Sequence, residues 1–325
     1  MKIVLIFILL SISLSAQNPP FNGLGDGTEL NPYQIWTKND LMELRDSVNG
    51  DYSYVVSHYA LANWTYGKHF RLMVDIDNVT QSIGRGTFYG YFHGAGKKIT
   101  VAIIPSPPYA GTPLFLKVTG NIDSLTLDGI INEGTAGIAN YLMPQYGVPT
   151  DVSISHCINN ATITEWGSGG IAYSNSGTIS HCINNGDITG VDCVAGIAGD
   201  NQSGTIINCI NTGKITATNS GSAPYNNESG VGGIAAFNKN NISNCINLGT
   251  VEGQNHVGGI VGWASQLVHS ASQITNCINY GYIKGTNAVG GILGYMRPIV
   301  NISNCVNAGV VEGSSDVGSI TGKEN

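Results

Sequence analysis

The sequence predicts an all-β protein, a right-handed parallel β-helix with three strands per coil and a short N-terminal capping helix. Three observations predict it. A unit built on Cys-Ile-Asn, with Val for Ile in the last, recurs six times, with its cysteines at Cys157, Cys182, Cys209, Cys245, Cys277 and Cys305, 25 to 36 residues apart. Periods of that size mark a solenoid whose units bury their apolar edges only by stacking. Each unit holds three short segments: an Ile-x-x-Cys-Ile-Asn run, an Ile or Val six residues after the Cys, and a Gly-Gly-Ile run about fifteen after it. Segments this short and β-branched, bounded by Gly and Asn, are strands joined by tight turns. Charged residues make up only 11% of the chain and Gly numbers 44, so solubility rests on Asn, Ser and Thr.

Taken in order, residues 1–16 read as a secretory signal peptide. Lys2 precedes a short apolar run that ends in Ser13-Leu14-Ser15-Ala16, with cleavage expected near Ala16. No later stretch offers the roughly 20 apolar residues of a membrane span. The expected location is therefore secreted or cell-surface, and no Cys follows Ala16 to carry a lipid anchor. Residues 17–98 form an N-terminal cap and lead-in strands. Thr37 stands at capping distance before Asp40, and Leu41, Met42, Leu44 and Val48 supply one apolar stripe of a short helix. Such a helix would cover the open edge of the first coils. Residues 99–325 form the β-helix, with a degenerate first repeat around Gly137-Ile138 and clear repeats from about 154. The stretches "TNSGSAPYNNES" and "ASQLVHSAS" should bulge from corners without disturbing the stack. The last unit stops at "GSITGKEN" without a covering helix, which leads one to expect end-to-end self-association there or a longer natural chain. A leucine-rich repeat is excluded by the lack of an L-x-x-L-x-L frame, and a calcium-binding β-roll by the lack of G-G-x-G-x-D nonapeptides.

The repeated polar residues are expected to form ladders. Asn159, Asn184, Asn211, Asn247, Asn279 and Asn307 each lie two residues after a repeat Cys, and stacked amides can hydrogen-bond up the rod. The six cysteines should make a core column of free thiols, since a bridge between in-register parallel strands would be strained. His156 and His181 replace Asn before the first two cysteines. With no third ligand at a fixed offset they are read as ladder substitutes rather than a metal site, and no cofactor is expected.

Phe237, Trp263 and Tyr295 each fall three residues after the Ile of a Gly-Gly-Ile run. Strand alternation would turn them outward as a stripe. The plain reading is mutual stacking, and the sharper one a binding platform for carbohydrate or a host or cell-surface protein. The formal charge of -7 provides no basic field for nucleic acid. Asp75 and Asp77 share a strand face, and Asp187, Glu252 and Glu312 recur near one repeat position, but no paired carboxylates or Ser-His-Asp motif nominate an active site. The Thr164, Thr189, Thr216 series breaks into Glu252, Lys284 and Glu312, which disfavours a flat ice-binding array.

The units resemble the GLUG-motif repeats of bacterial exported proteins. The resemblance rests on "NCIN.G.I.G....GGI.G" through residues 154–322, on "GTELNPYQI.TKNDLMEL" and on "GTFYGYFHGAGKKI", and so covers most of the chain after residue 16. It implies a parallel β-helix and membership among surface adhesins, non-catalytic regions of large secreted proteases and other exported proteins. The coils look more distantly like pectate-lyase-type helices, yet no matching active-site motif allows a catalytic residue to be carried over. The expectation is a non-catalytic exported or cell-surface rod that binds a ligand or partner, with a polysaccharide lyase or hydrolase as the alternative.

Overall fold

The computed structural model describes residues 20–50, 64–84, 86–103, 113–145, 151–165, 167–218, 229–265 and 271–324. The expected signal peptide and most of both corner insertions lie outside the described residues. The chain is a parallel β-solenoid. Sheet A stacks ten strands, from Tyr33–Ile35 to Val300–Ser303; sheet B has fifteen, sheet C nine and sheet D six.

One coil shows how the repeat is spent. It runs through Asn241–Ser243 in sheet A, Ile246–Asn247 and Val251–Glu252 in sheet B, Asn255–Gly258 in sheet D and Val261–Ala264 in sheet C. The three predicted segments are present, but the coil is divided more finely than three strands. The residue before each Cys adopts a left-handed conformation (Asn244 has φ 54°), which breaks Ile-x-x-Cys-Ile-Asn into one strand of sheet A and one of sheet B. A second left-handed residue, His256 in this coil, sets off the sheet D strand that the sequence reading missed.

Register is strict where the sequence repeats. Ile246 pairs with Ile210 and Ile278, and Asn247 with Asn211 and Asn279. Cys, Asn and the second-arm Ile or Val point inward, so Cys245, Asn247 and Val251 are all fully buried. The ladder residues from Asn159 to Asn279 are fully satisfied by their neighbours. Asn247 Nδ2 donates to Gly249 O at 2.9 Å and to Asn279 Oδ1 at 2.8 Å, while its Oδ1 accepts from Asn211 Nδ2 at 2.8 Å. The glycines of the other motif make room for this column. A Cβ at Gly259 would stand 2.4 Å from Asn279 Cγ and 2.1 Å from Gly291 O, so the Gly-Gly-Ile and Cys-Ile-Asn motifs are two halves of one packing constraint.

All seven cysteines are free thiols. Burial raises the thiol pKa of Cys157, Cys209 and Cys245, so they stay protonated. They donate to backbone carbonyls instead, Cys157 Sγ to Ser155 O and Cys245 Sγ to Ser243 O at 3.2 Å each.

The helix Lys38–Gly50 begins with the expected cap. Thr37 N donates to Asp40 Oδ2 at 2.8 Å and Asp40 N to Thr37 Oγ1 at 3.3 Å, a reciprocal box. Its Leu41, Leu44 and Val48 are buried, and it packs beside Tyr33–Ile35 and Ile76–Val79, the outermost strands of the first coils. In the last described coil, by contrast, Val306, Val310 and Val317 are 52%, 61% and 46% exposed.

Replacing Asn247 with Ala strands buried partners above and below it, and should lower the unfolding free energy by about 3 kcal/mol. Asn185→Ala removes only exposed hydrogen bonds, to Asn160 Oδ1 and from Thr212 Oγ1, and should cost less than about 0.5 kcal/mol. Urea titration of the two variants checks this, and equal costs would refute the buried ladder. Denatured, unreduced protein should titrate with a thiol reagent at seven groups per chain; a lower count would show bridges within the column.

Candidate functional site

Two outer surfaces carry side chains that stack without being used by the core: the outer face of sheet A and the outer face of sheet C. On sheet C the in-register column reads Lys117, Tyr141, Ser174, Asp200, Phe237, Trp263, Tyr295, Lys323. Phe237, Trp263 and Tyr295 stack as expected, with ring centroids 4.6 and 6.2 Å apart and planes 24° from parallel in both pairs. They do not form an open stripe. Phe237 and Trp263 are 3% and 1% exposed. The cause lies one residue earlier, where Gly262 and Gly294 let the sheet D backbone of the preceding coil close in, a Cβ at Gly262 standing 2.4 Å from Val231 N. His256 packs on Tyr295, Lys239 lies over Phe237 and Arg297 over Trp263, so Phe237 and Trp263 are sealed between two sheets while Tyr295 is half-buried. Alternation along the strand gives direction but says nothing of what lies opposite. Nearby, burial first and then Asp192 and Asp200 push the Cys193 thiol up to about 12, which leaves it no nucleophile.

Sheet A presents a more open chemistry. Its outward columns alternate with the buried Phe70, Phe92, Ile122, Ile154, Ile179, Ile206 series. Across coils one outward column reads Tyr91, Asn121, Ser153, Thr178, Thr205, and the other Arg71, His93, Asp123, Ser155, Ser180. A cleft of about 650 Å³ lies against Ser153, Ser155, Thr178, Ser180 and Thr205 and reaches His156 and His181. The two imidazoles are exposed, lie face to face with centroids 4.8 Å apart and planes 1° from parallel, and each sits at a left-handed corner before its Cys (φ 54°). Asn208 Nδ2 donates to His181 Nε2 at 2.9 Å, so the ladder that holds Asn in later coils holds the imidazoles in these two. The hydroxyls of Ser153, Ser155, Thr178, Ser180 and Thr205 have no hydrogen-bond partner among the described residues. In later coils of the same face the polar groups satisfy one another, as Asn301 Nδ2 does with Gln273 Oε1 at 2.9 Å and Asn276 Nδ2 with Asn244 Oδ1 at 3.1 Å.

At the N-terminal end of this face His69, His93 and Asp123 come together. His93 Nδ1 lies 2.6 Å from Asp123 Oδ2, and His93 Nε2 lies 3.0 Å from His69 Nδ1. Burial raises Asp123, but the hydrogen bond and charge of His93 outweigh it and the carboxyl is held below its usual range. Burial, and next the charge of His93, lower His69. Sequence reasoning did not join these three, because they lie in the lead-in strands where no repeat marks the register; only the Phe70-Phe92-Ile122 core series could have aligned them.

The other carboxylates singled out from the sequence serve the scaffold. Asp75 Oδ1 accepts from Lys98 N at 2.9 Å, Asp77 Oδ1 from Thr100 Oγ1 at 2.6 Å, and Asp187 Oδ1 from Lys214 N at 2.8 Å. Glu252 pairs with Lys214 Nζ at 2.9 Å, and Glu312 accepts from the Tyr282 hydroxyl. Among the described residues no three His, Cys, Asp or Glu side chains are placed to hold a metal ion, and no helix is long and apolar enough to cross a membrane.

No family model and no curated protein matches the chain. Among solved structures the chain is similar to one described as a putative immunoglobulin A1 protease from Bacteroides ovatus, at 21% identity and a TM-score of 0.54, covering 92% of this chain and 88% of that one. At that identity the likeness extends to the fold, a parallel β-solenoid.

Proposed function

We propose that this chain is an exported recognition rod that binds carbohydrate along the outer face of sheet A, in the cleft over Ser153, Thr178, Ser180 and Thr205. The observation that carries the reading is a set of hydroxyls without partners, in two in-register columns, beside an exposed pair of parallel imidazole faces. Polyhydroxylated ligands are held by donors and acceptors that converge on them, together with a flat apolar or aromatic face. The interstrand rise of about 4.8 Å sets those hydroxyls at intervals comparable to one hexose unit. Ser and Thr serve either hydrogen-bond role, so the face can follow a hydroxyl pattern without carrying charge. The GLUG-like repeat units and the signal-peptide-like start support the same reading, as marks of exported surface proteins.

A glycan array probed with the full chain should retain a subset of glycans. The Thr178→Val, Ser180→Ala double variant should bind them at least about tenfold more weakly, the loss of one to two hydrogen bonds, while its thermal unfolding is unchanged because neither hydroxyl has a partner among the described residues. Binding of equal strength by the variant, or no glycan bound by the parent chain, would defeat the proposal.

A further inference from the structure

The Asp123, His93, His69 chain belongs neither to the ladders nor to the hydroxyl cleft, and its tautomers follow from its geometry. An ionised carboxylate only accepts hydrogen bonds, so in its neutral form His93 carries its proton on Nδ1 and presents a lone pair at Nε2. His69 must then donate from Nδ1, which leaves the lone pair on its Nε2. The two imidazole planes are 16° from parallel and their centroids are 5.3 Å apart, longer than the nitrogen separation by about two ring radii. The rings therefore meet nitrogen to nitrogen. That disfavours a chelate, because a metal would need both lone pairs turned toward a point off this line. It suits a proton path. Tyr91 stacks on His69 with centroids 4.3 Å apart and planes 8° from parallel, which fixes the ring while His69 Nε2 has no partner among the described residues. Beside His93 on the neighbouring strand stands Arg71, exposed and without an ion pair among the described residues. The other charged or titratable groups that bear on the chain are Glu29 and His156, with Lys68 held over Trp64.

We propose that His69 Nε2 is the general base of a hydrolytic site for carboxylic esters, with His93 and Asp123 as positioning residues and Arg71 facing the carbonyl oxygen. A water molecule gives its proton to His69 Nε2 as its oxygen bonds to the ester carbon, and the carbonyl pair moves onto oxygen beside the Arg71 guanidinium. Asp123 stays ionised and steadies the cation shared by the two imidazoles. When the adduct collapses, the carbon–oxygen bond to the alcohol breaks and His69 Nε2 returns its proton to the departing alkoxide. Ester and water become acid and alcohol, with no redox partner. An ester is favoured over an amide because an alkoxide leaves without a second, stronger acid, and none is placed here. This activity goes beyond recognition and does not rest on it.

The test is hydrolysis of p-nitrophenyl acetate by the full chain between about pH 5 and pH 9, against free imidazole at equal concentration. The protein should exceed imidazole at least about tenfold, and His69→Gln should remove about a hundredfold of its rate. Because burial depresses His69, the rate should rise through one ionisation below 6.5 and then level off. Asp123→Asn should cost at least about tenfold and alter that profile, since an amide can reverse the His93 tautomer. Thr189→Ala, on sheet B, should change nothing. Nitrogen-15 shifts should show protons on Nδ1 of both His69 and His93, lost from His93 in Asp123→Asn. Should His69→Gln not fold, the parent profile and Asp123→Asn decide. A parent rate no greater than imidazole, or an unchanged rate or pH profile in folded His69→Gln or Asp123→Asn, overturns the proposal, and glycan binding by His69→Gln keeps this outcome separate from that of the recognition reading.

Discussion

A column of buried carboxamides governs this molecule. An Asn side chain in an apolar interior must satisfy both its amide protons and its oxygen, or cost the stack several kcal/mol per coil. At the interstrand spacing it does so when an identical side chain lies directly above and below, with a carbonyl two residues along to take the second proton. Asn184, Asn211, Asn247 and Asn279 meet that condition. A slip of one residue would turn each Asn outward and bring the next side chain into the core, so the ladder locks register in every coil at once. The repeated glycines follow from it, because a methyl group at Gly196, Gly233 or Gly259 would press into the amide of the coil that follows.

A second ladder does the same at another corner. Asn175 Nδ2 donates to Asn201 Oδ1 at 2.8 Å, Asn201 Nδ2 to Asn238 Oδ1 at 2.7 Å, and Asn238 Nδ2 to Ser272 Oγ at 2.7 Å. Here the repeat tolerates a change of residue, since a Ser hydroxyl can accept the same proton. The second insertion falls at this corner, between Ala264, which is in register with Asn238, and Ser272, whereas the first lies between the sheet B strand Ile215–Ala217 and the sheet D strand Val231–Gly232.

What the sequence made legible was whatever the ladder forces to repeat: the cysteine column, the first asparagine column, the Gly-Gly-Ile corner and the capped helix at Thr37. What it hid depends on contacts between coils or between sheets. The second ladder was obscured because its spacing from the cysteines changes with loop length. Trp263 was given the correct strand direction but not its cover, since burial there comes from a glycine one residue before it and from a neighbouring sheet. His69, His93 and Asp123 lie 24 and 30 residues apart in strands without a motif, so only the three-dimensional register brings them into line. In sheet A the coils of Ser153, Thr178 and Thr205 leave their outward hydroxyls without partners among the described residues, while the later coils pair their amides with one another.

The most direct measurement is exchange of side-chain amide protons in deuterated solvent, followed by nitrogen-15 spectra with Asn assigned. The carboxamide protons of Asn184, Asn211 and Asn247 should persist long after those of the exposed Asn160 and Asn185 have vanished, because they open only when the coils separate. Loss of all five at the same fast rate would mean that the amides are not stacked in the interior, and the register on which the fold, the sheet A face and its imidazoles depend would be wrong.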